Sequence, residues 1–412
     1  MYNNYNIEND SNLTLTAIHH RNDMIQKMKW QFASFGYKEI HTPAFQPYEL
    51  YMQMNGTVNQ QEMIKTIDNA GNVLVLRPDV TIPLTQRIAR HHSQLEQALR
   101  YFYMLDVFRQ TADTAGSQEN IQIGAEFFGD ASAATDAEII ALSMNVLNSI
   151  DLTNVTIELG HAGFFKELID EIHLDKQALN ALKQSIRAKN VPEIETLLQQ
   201  IDVDEPFKEI ITSLPFLYGK PEEVIDRARA LPLTDAMHQT LDNLMEIYDY
   251  LDAYGIKDHI VADLSLINHM DYYSDIIFQG FIEKVGKPVL MGGRYNTLAN
   301  QFNANIPAVG FACNLDLLLN QANKVQNKEV SIVDICVLHY SNTVKKAIKL
   351  ATSLRNMDYE TMILPTEIDY QTTAPATMAI YTNQDGFTLD DNGEITEFST
   401  MNELIAFLRK ER

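Results

Sequence analysis

Apolar positions along this chain switch between two periods, and the switches mark its elements. Ile18, Ile25, Met28, Phe32 and Phe35 recur at helical spacing, and Gly36 stands where a left-handed glycine would close that helix. The following GYKEIHTPAFQPYELY is expected to run extended, restricted by Pro43 and Pro47. Segments 63–67 and 73–76 flank Asp68-Asn69-Ala70-Gly71, a hairpin signal, and LRPDVT then opens a helix carrying Ile82, Leu84 and Ile88. Segments 100–109 and 121–128 predict two strands joined by QTADTAGSQEN. Thr135-Asp136-Ala137-Glu138 has the form of a capping box opening a helix through Leu147, and 155–159 predicts a further strand.

From HAGFF at 161 to about Gly255 the pattern is almost wholly helical, with Leu179, Leu182 and Ile186 and later Leu241, Leu244, Ile247 and Leu251 in register. Five prolines, at 192, 206, 215, 221 and 232, punctuate it. This stretch separates the strand pair from another strand-rich region, so 161–258 is expected as a helical insertion within a core spanning 1–320. In that later region, 261–266, 272–282 and 307–313 are strand candidates. Gly286-Lys287-Pro288 breaks a hairpin, Gly292-Gly293 permits a sharp bend or a close approach, and Leu315, Leu318 and Leu319 begin a helix. A sheet floor, a paired glycine and a strand running into a helix are the parts of a ligand-binding crevice. After the polar QANKVQNKEV, a small α/β domain is expected over 330–412: strand 332–338, helix 343–356, strands 360–364 and 378–381, a turn at Asp390-Asp391-Asn392-Gly393, and helix 402–410.

The 412 residues suffice for two or three domains, and 45 % hydrophobic with 21 % charged residues is the balance of an ordinary globular protein. No apolar run approaches a membrane span, and the Asn-rich first 15 residues are a polar lead-in rather than a basic-then-apolar signal. Cys313 and Cys336 sit in apolar runs as expected buried thiols, which points to a reducing, cytoplasmic setting. No zinc-ligand spacing occurs, and no metal or cofactor is expected. Lys and Arg number 32 against 55 Asp and Glu, a net charge of −23 that disfavours a nucleic-acid partner.

Three blocks, DYYSDIIF, GGRYNTL and PAVGFACNLDLLL, resemble in order and wording the end of the catalytic domain of the histidyl-tRNA synthetase family. The resemblance implies an α+β fold: a class II aminoacyl-tRNA synthetase-like antiparallel sheet flanked by helices. The tail resembles a reduced anticodon-binding domain in element order alone. The first helix and the proline-containing segment after it resemble the first class II signature, implying a dimer through the core. The resemblance also implies a histidine pocket. Asp79 would hold the α-ammonium beside Thr81, Arg109 would reach the carboxylate, and Gln122 and Glu126 would line the pocket with Tyr272 and Tyr273. Judged by residue type alone, Asp79 and Thr81 are N-cap types, Gln122 and Glu126 share one face of a strand, and the tyrosines are core aromatics.

The chain departs from the synthetases where phosphates would sit. Leu317 stands where the third signature has an arginine, Asn314 where it has a glycine, and Asn268 where the RGLDYY block has an arginine. The loop QTADTAGSQEN carries no Lys or Arg. Each lost guanidinium forfeits about 1.5–3 kcal/mol of charge-assisted contact, and charge migrating onto pyrophosphate needs such groups. Asp275 replaces a usual glycine and is expected to add an acidic group beside the pocket. The pattern therefore resembles the non-catalytic relatives that serve as regulatory subunits of ATP phosphoribosyltransferase. That implies a short-form catalytic subunit as partner and histidine as effector. A divergent histidine-tRNA ligase and a sensor of uncharged tRNA are the alternatives.

Overall fold

The computed structural model describes residues 15–52, 58–92, 97–110, 118–172, 174–267, 272–325, 333–369 and 376–410. The lead-in up to residue 14, most of the loop after Arg109, and Asn268 lie outside them. The chain forms two compact units, Lys27–Val325 and Gln326–Arg412 together with Met1–Gln26.

The larger unit is organised on a nine-stranded sheet. In chain order its strands are β1 (Lys38–Glu39), β5 (Leu99–Phe108), β6 (Glu119–Phe128), β7 (Val155–His161), β8 (Tyr218–Gly219), β9 (Ile260–Asp263), β10 (Ile276–Ile282), β11 (Leu290–Arg294) and β12 (Ala308–Asn314). The numbers left free belong to a separate three-stranded sheet of β2 (Phe45–Pro47), β3 (Lys65–Ile67) and β4 (Val73–Leu76). Spatial order in the large sheet is β1-β5-β6-β12-β11-β10-β7-β9-β8. Every pairing from β5 across to β7 is antiparallel, while β1–β5 and β7–β9 are parallel. The class II-type architecture expected from the sequence is the one observed.

Local chemistry explains most boundaries. Helix α1 (Leu15–Ser34) ends as Gly36 turns left-handed at φ +83°. Its N–H then reaches Ala33 and that of Tyr37 reaches Phe32, which satisfies two terminal carbonyls. Phe32, on the buried side, stacks on Phe102 of β5 with ring centroids 4.8 Å apart. At the β3–β4 hairpin the Asp68 carboxylate accepts the N–H groups of Ala70 and Asn72, and Gly71 takes φ +87°. After the short α2 (Tyr48–Met52), helix α3 (Thr81–His91) follows β4.

Helix α4 (Ala133–Asn148) corrects the capping-box reading. The cap is Ser132, whose hydroxyl accepts from the Thr135 N–H, while Asp136 and Glu138 are drawn into long-range ion pairs. Arg294, 1 % exposed, donates to Asp136 Oδ1 from Nε at 2.8 Å, and its Nη1 donates to the Asp130 carbonyl. Glu138 accepts two bonds from Arg100 and one from Tyr37.

Among the described residues, six α-helices occupy the predicted helical stretch: α5 (Ala162–Glu171), α6 (Lys176–Arg187), α7 (Val191–Gln200), α8 (Glu205–Ser213), α9 (Pro221–Arg229) and α10 (Asp235–Ala253). Pro192, Pro206 and Pro221 occupy the first turns of α7, α8 and α9, where no intrahelical N–H is needed. Strand β8 interrupts this stretch and joins the sheet edge, a pairing that two residues without periodicity do not announce. Helix α11 (Leu315–Val325) follows β12 directly.

The smaller unit has a five-stranded sheet of β13 (Val333–His339), β14 (Thr361–Pro365), β15 (Ala376–Thr382), β16 (Phe387–Asp391) and β17 (Glu394–Phe398), ordered β14-β13-β15-β16-β17. The predicted turn at 390–393 joins β16 and β17, with Asn392 and Gly393 both at positive φ, the geometry of a two-residue hairpin. Leu350 and Leu354 of α12 (Val344–Arg355) and Leu404 and Leu408 of α13 (Met401–Lys410) share one core with Val337, Ile380 and Leu389 of the sheet. No described helix is long and apolar enough to cross a membrane.

Candidate functional site

A cavity of about 260 Å³ opens over the centre of the large sheet. All seven residues singled out from the sequence line it: Asp79 and Thr81 at the start of α3, Arg109 just past β5, Gln122 and Glu126 on β6, and Tyr272 and Tyr273 ahead of β10. The sheet brings them together by register. Glu126 pairs with Gly310 of β12, and Gln122 with Asn314 two pleat repeats further along.

Glu126 is the most enclosed polar group, 1 % exposed. Thr81 donates to its Oε1 at 2.7 Å, Tyr295 to its Oε2 at 2.5 Å, and the Tyr103 hydroxyl lies 3.5 Å from Oε1. Burial pushes the carboxyl up to about 7 against these bonds, and the nearby Asp79 charge adds to the rise. Asp79 is pushed up to about 6 by burial, opposed by the Ile82 N–H and by the Arg109 and Arg77 guanidinium groups. Its Oδ1 accepts the Ile82 N–H at 2.8 Å, so it performs the capping role expected of it although Val80 holds the N-cap position. Thr81 is instead the first helical residue, with its hydroxyl on Glu126.

Two buried acceptors here have no partner, Asp79 Oδ2 and Gln122 Oε1. Leaving a buried polar atom unpaired costs about 1–3 kcal/mol, so each marks a place where a ligand donor gains. Arg109 is fixed by its Nε, which donates to the Pro78 carbonyl at 2.7 Å. The cavity thus offers two carboxyl groups, an amide oxygen, a guanidinium and tyrosine rings. Val107, Ile121, Val289, Met291 and Cys313, whose thiol burial pushes well above its usual range, form the apolar part of the lining. The set fits a small zwitterion with an N–H-bearing side chain. No described group of three or more His, Cys, Asp or Glu could hold a metal ion.

Tyr295 is the residue that the sequence reading missed. It lies within the quoted GGRYNTL block and its hydroxyl holds Glu126, but only the fold shows that β11 delivers it there. Tyr272 meets it edge to face, with centroids 5.9 Å apart. Asp275 corrects an expectation. It does not line the cavity, and its carboxylate accepts from Ser274 at 2.6 Å and from Asn296 at 3.0 Å. Asn314 accepts the Leu317 N–H at 2.9 Å, so the residue standing for the signature glycine caps α11, and Leu317 presents an aliphatic side chain.

A family model described as histidyl-tRNA synthetase matches residues 12–318. A protein of Oceanobacillus iheyensis named ATP phosphoribosyltransferase regulatory subunit is 36 % identical over 409 residues, covering 99 % of this chain and all of that one. A protein of the same name from Ruminiclostridium cellulolyticum is 31 % identical over 85 % of this chain and 84 % of its own length. Among solved structures, one from Bacillus halodurans described as an ATP phosphoribosyltransferase regulatory subunit/histidyl-tRNA synthetase aligns with a TM-score of 0.77 at 26 % identity, over 92 % of this chain and 99 % of that one. Histidyl-tRNA synthetase from Nostoc sp. PCC 7120 shares the fold, with a TM-score of 0.79 at 16 % identity over 99 % and 100 % of the two chains.

Proposed function

Because this chain belongs to the histidyl-tRNA synthetase-like family of ATP phosphoribosyltransferase regulatory subunits, we propose that it joins a short-form catalytic subunit and reports the level of free histidine to it. Its role is regulatory: phosphoribosyl transfer, the first step of histidine biosynthesis, takes place on the partner. The ligase alternative is not favoured, since the relatives at 36 % and 31 % sequence identity both carry the regulatory name.

One observation carries the effector reading. Asp79 Oδ2 and Gln122 Oε1 are buried acceptors awaiting a donor, in the same cavity as the bonded Glu126 carboxyl. An α-ammonium supplies donors for the first two, an imidazole N–H suits Glu126, and Arg109 suits a carboxylate. Where the synthetase signature has cations for a triphosphate, Leu317 and Asn268 offer none. Histidine bound here inhibits the partner to the extent that it binds one conformation of the assembly more tightly than another. The protein works in the cytoplasm, as a dimer through its larger unit, and without a nucleic-acid or membrane partner.

Calorimetric titration of the full chain with histidine tests the pocket, and ATP–pyrophosphate exchange tests the alternative. Saturable histidine binding with no exchange is expected. Histidine-dependent exchange by the purified chain overturns the regulatory reading, and absence of histidine binding in both the free chain and the complex overturns the effector reading.

A further inference from the structure

The hydroxyl of Tyr51 is buried without a hydrogen-bond partner, as are Asp79 Oδ2 and Gln122 Oε1 of the cavity. Tyr51 is 1 % exposed and does not itself line the cavity. It stands on α2 in one buried cluster with Tyr295 and with Ile82, whose N–H fixes the other oxygen of Asp79. Tyr272 and Tyr273 pack against the same cluster and face the cavity. The phenol is thus an unspent polar group in the layer next to the ligand site.

Chemistry narrows what it can do. The charges that act on the Tyr51 hydroxyl are those of Asp79, Arg77 and Arg109. Guanidinium groups only donate, so the phenol proton has one acceptor among the three, the Asp79 carboxyl. Both guanidinium groups are also engaged with backbone. Arg77 donates to the carbonyls of Asp106 and Thr42, and Arg109 to that of Pro78. Burial and the Asp79 charge keep the phenol protonated, hence a donor. A carboxylate oxygen has two lone pairs, so Asp79 Oδ2 can accept a phenol O–H and an ammonium N–H together. Glu126, Tyr103 and Tyr272 are further titratable groups coupled to Asp79, and the like charge of Glu126 opposes its ionisation. A hydrogen bond to the ionised carboxylate works against that opposition.

We propose that Tyr51 is a positioning residue of the effector site: its hydroxyl closes on Asp79 Oδ2 as that carboxyl ionises, and so holds the charge and aim that an α-ammonium needs. The identity of the ligand rests on the effector reading above, while the action of Tyr51 on Asp79 does not.

The test uses the full chain with Tyr51→Phe, which keeps the ring and its packing. Without ligand, the unfolding midpoint of Y51F is expected to match or exceed that of the wild type at pH 4.5 and to fall below it at pH 8. The reason is that one lost hydrogen bond raises the Asp79 transition by about one pH unit. In a D79N background the same substitution is expected to show no such pH dependence. By calorimetry, Y51F is expected to bind histidine about fivefold more weakly than the wild type at pH 6 and equally at pH 8.5. A Y51F effect on stability that is equal at both pH values, or a pH dependence that persists in D79N, overturns the proposal. So does a ratio of histidine affinities that is independent of pH. If the wild type binds no histidine, the effector reading fails, and the unfolding midpoints still decide whether Tyr51 acts on Asp79.

Discussion

Gly310 lies so close under Glu126 that a β-carbon at that position would overlap the carboxylate itself. The two residues are register partners on β12 and β6, and the missing side chain of one makes the seat of the other. Gly310→Ala should therefore push Glu126 off Thr81 and Tyr295. Overpacking of this kind costs about 1–3 kcal/mol in stability, and histidine affinity should fall at least tenfold. Calorimetry on the folded variant decides it. Wild-type affinity would mean that Glu126 does not touch the ligand.

Tyr295→Phe removes one donor from a buried carboxyl and leaves the volume nearly unchanged. A hydrogen bond to a charged group is worth about 1.5–3 kcal/mol, so histidine should bind roughly ten- to a hundredfold more weakly. Tyr272→Phe, which leaves the Glu126 bonds in place, should weaken it less. A reversed order would put the imidazole nearer Tyr272.

The pH dependence follows from burial. Asp79 at about 6 and Glu126 at about 7 both hold protons more tightly than in the unfolded chain, whose values are 3.8 and 4.5. Their contribution to stability is thus greatest below about pH 4 and is lost as pH rises through 7. Glu126→Gln should gain stability over the wild type at pH 8 and lose that advantage near pH 4, read as the difference in unfolding midpoints. Ligand binding runs the other way, because a cationic ligand needs the ionised carboxylates. With both carboxylates required, histidine affinity should weaken about a hundredfold from pH 7.5 to pH 5.5.

Arg294 and Asp136 form a buried ion pair between β11 and α4, each side chain 2 % exposed. Removing one partner leaves the other charge buried and alone, at about 3–5 kcal/mol. Arg294→Met should lower the unfolding midpoint far more than Lys29→Met, whose partner Glu39 is solvent-exposed to 33 %. Urea denaturation of both variants makes the comparison.

Trp30, the one tryptophan of the sequence, is 65 % exposed on α1, and Phe45 is 56 % exposed on the segment after it. Both belong to the region read as a dimer interface. Sedimentation should show a dimer, and Trp30→Glu should shift it toward monomer. A wild-type monomer at micromolar concentration sinks the dimer proposal.

Sequence periodicity and turn chemistry by themselves determined the long strands β5 and β6, helices α1 and α3, and the proline-started helices of the insertion, because those signals act over a few neighbouring residues. Motif wording was enough to nominate seven cavity residues spread between Asp79 and Tyr273. Tertiary structure alone decided which polar side chains face each other across the chain. Asp136 looked like part of a cap until Arg294, 158 positions away, drew it into the core. Asp275 looked like a pocket group until Ser274 and Asn296 bound it elsewhere, and Tyr295 gained its role only when β11 set it against Glu126. Long-range partners of buried polar groups depend on sheet register, and register is a property of the whole packed fold rather than of any local run of residues.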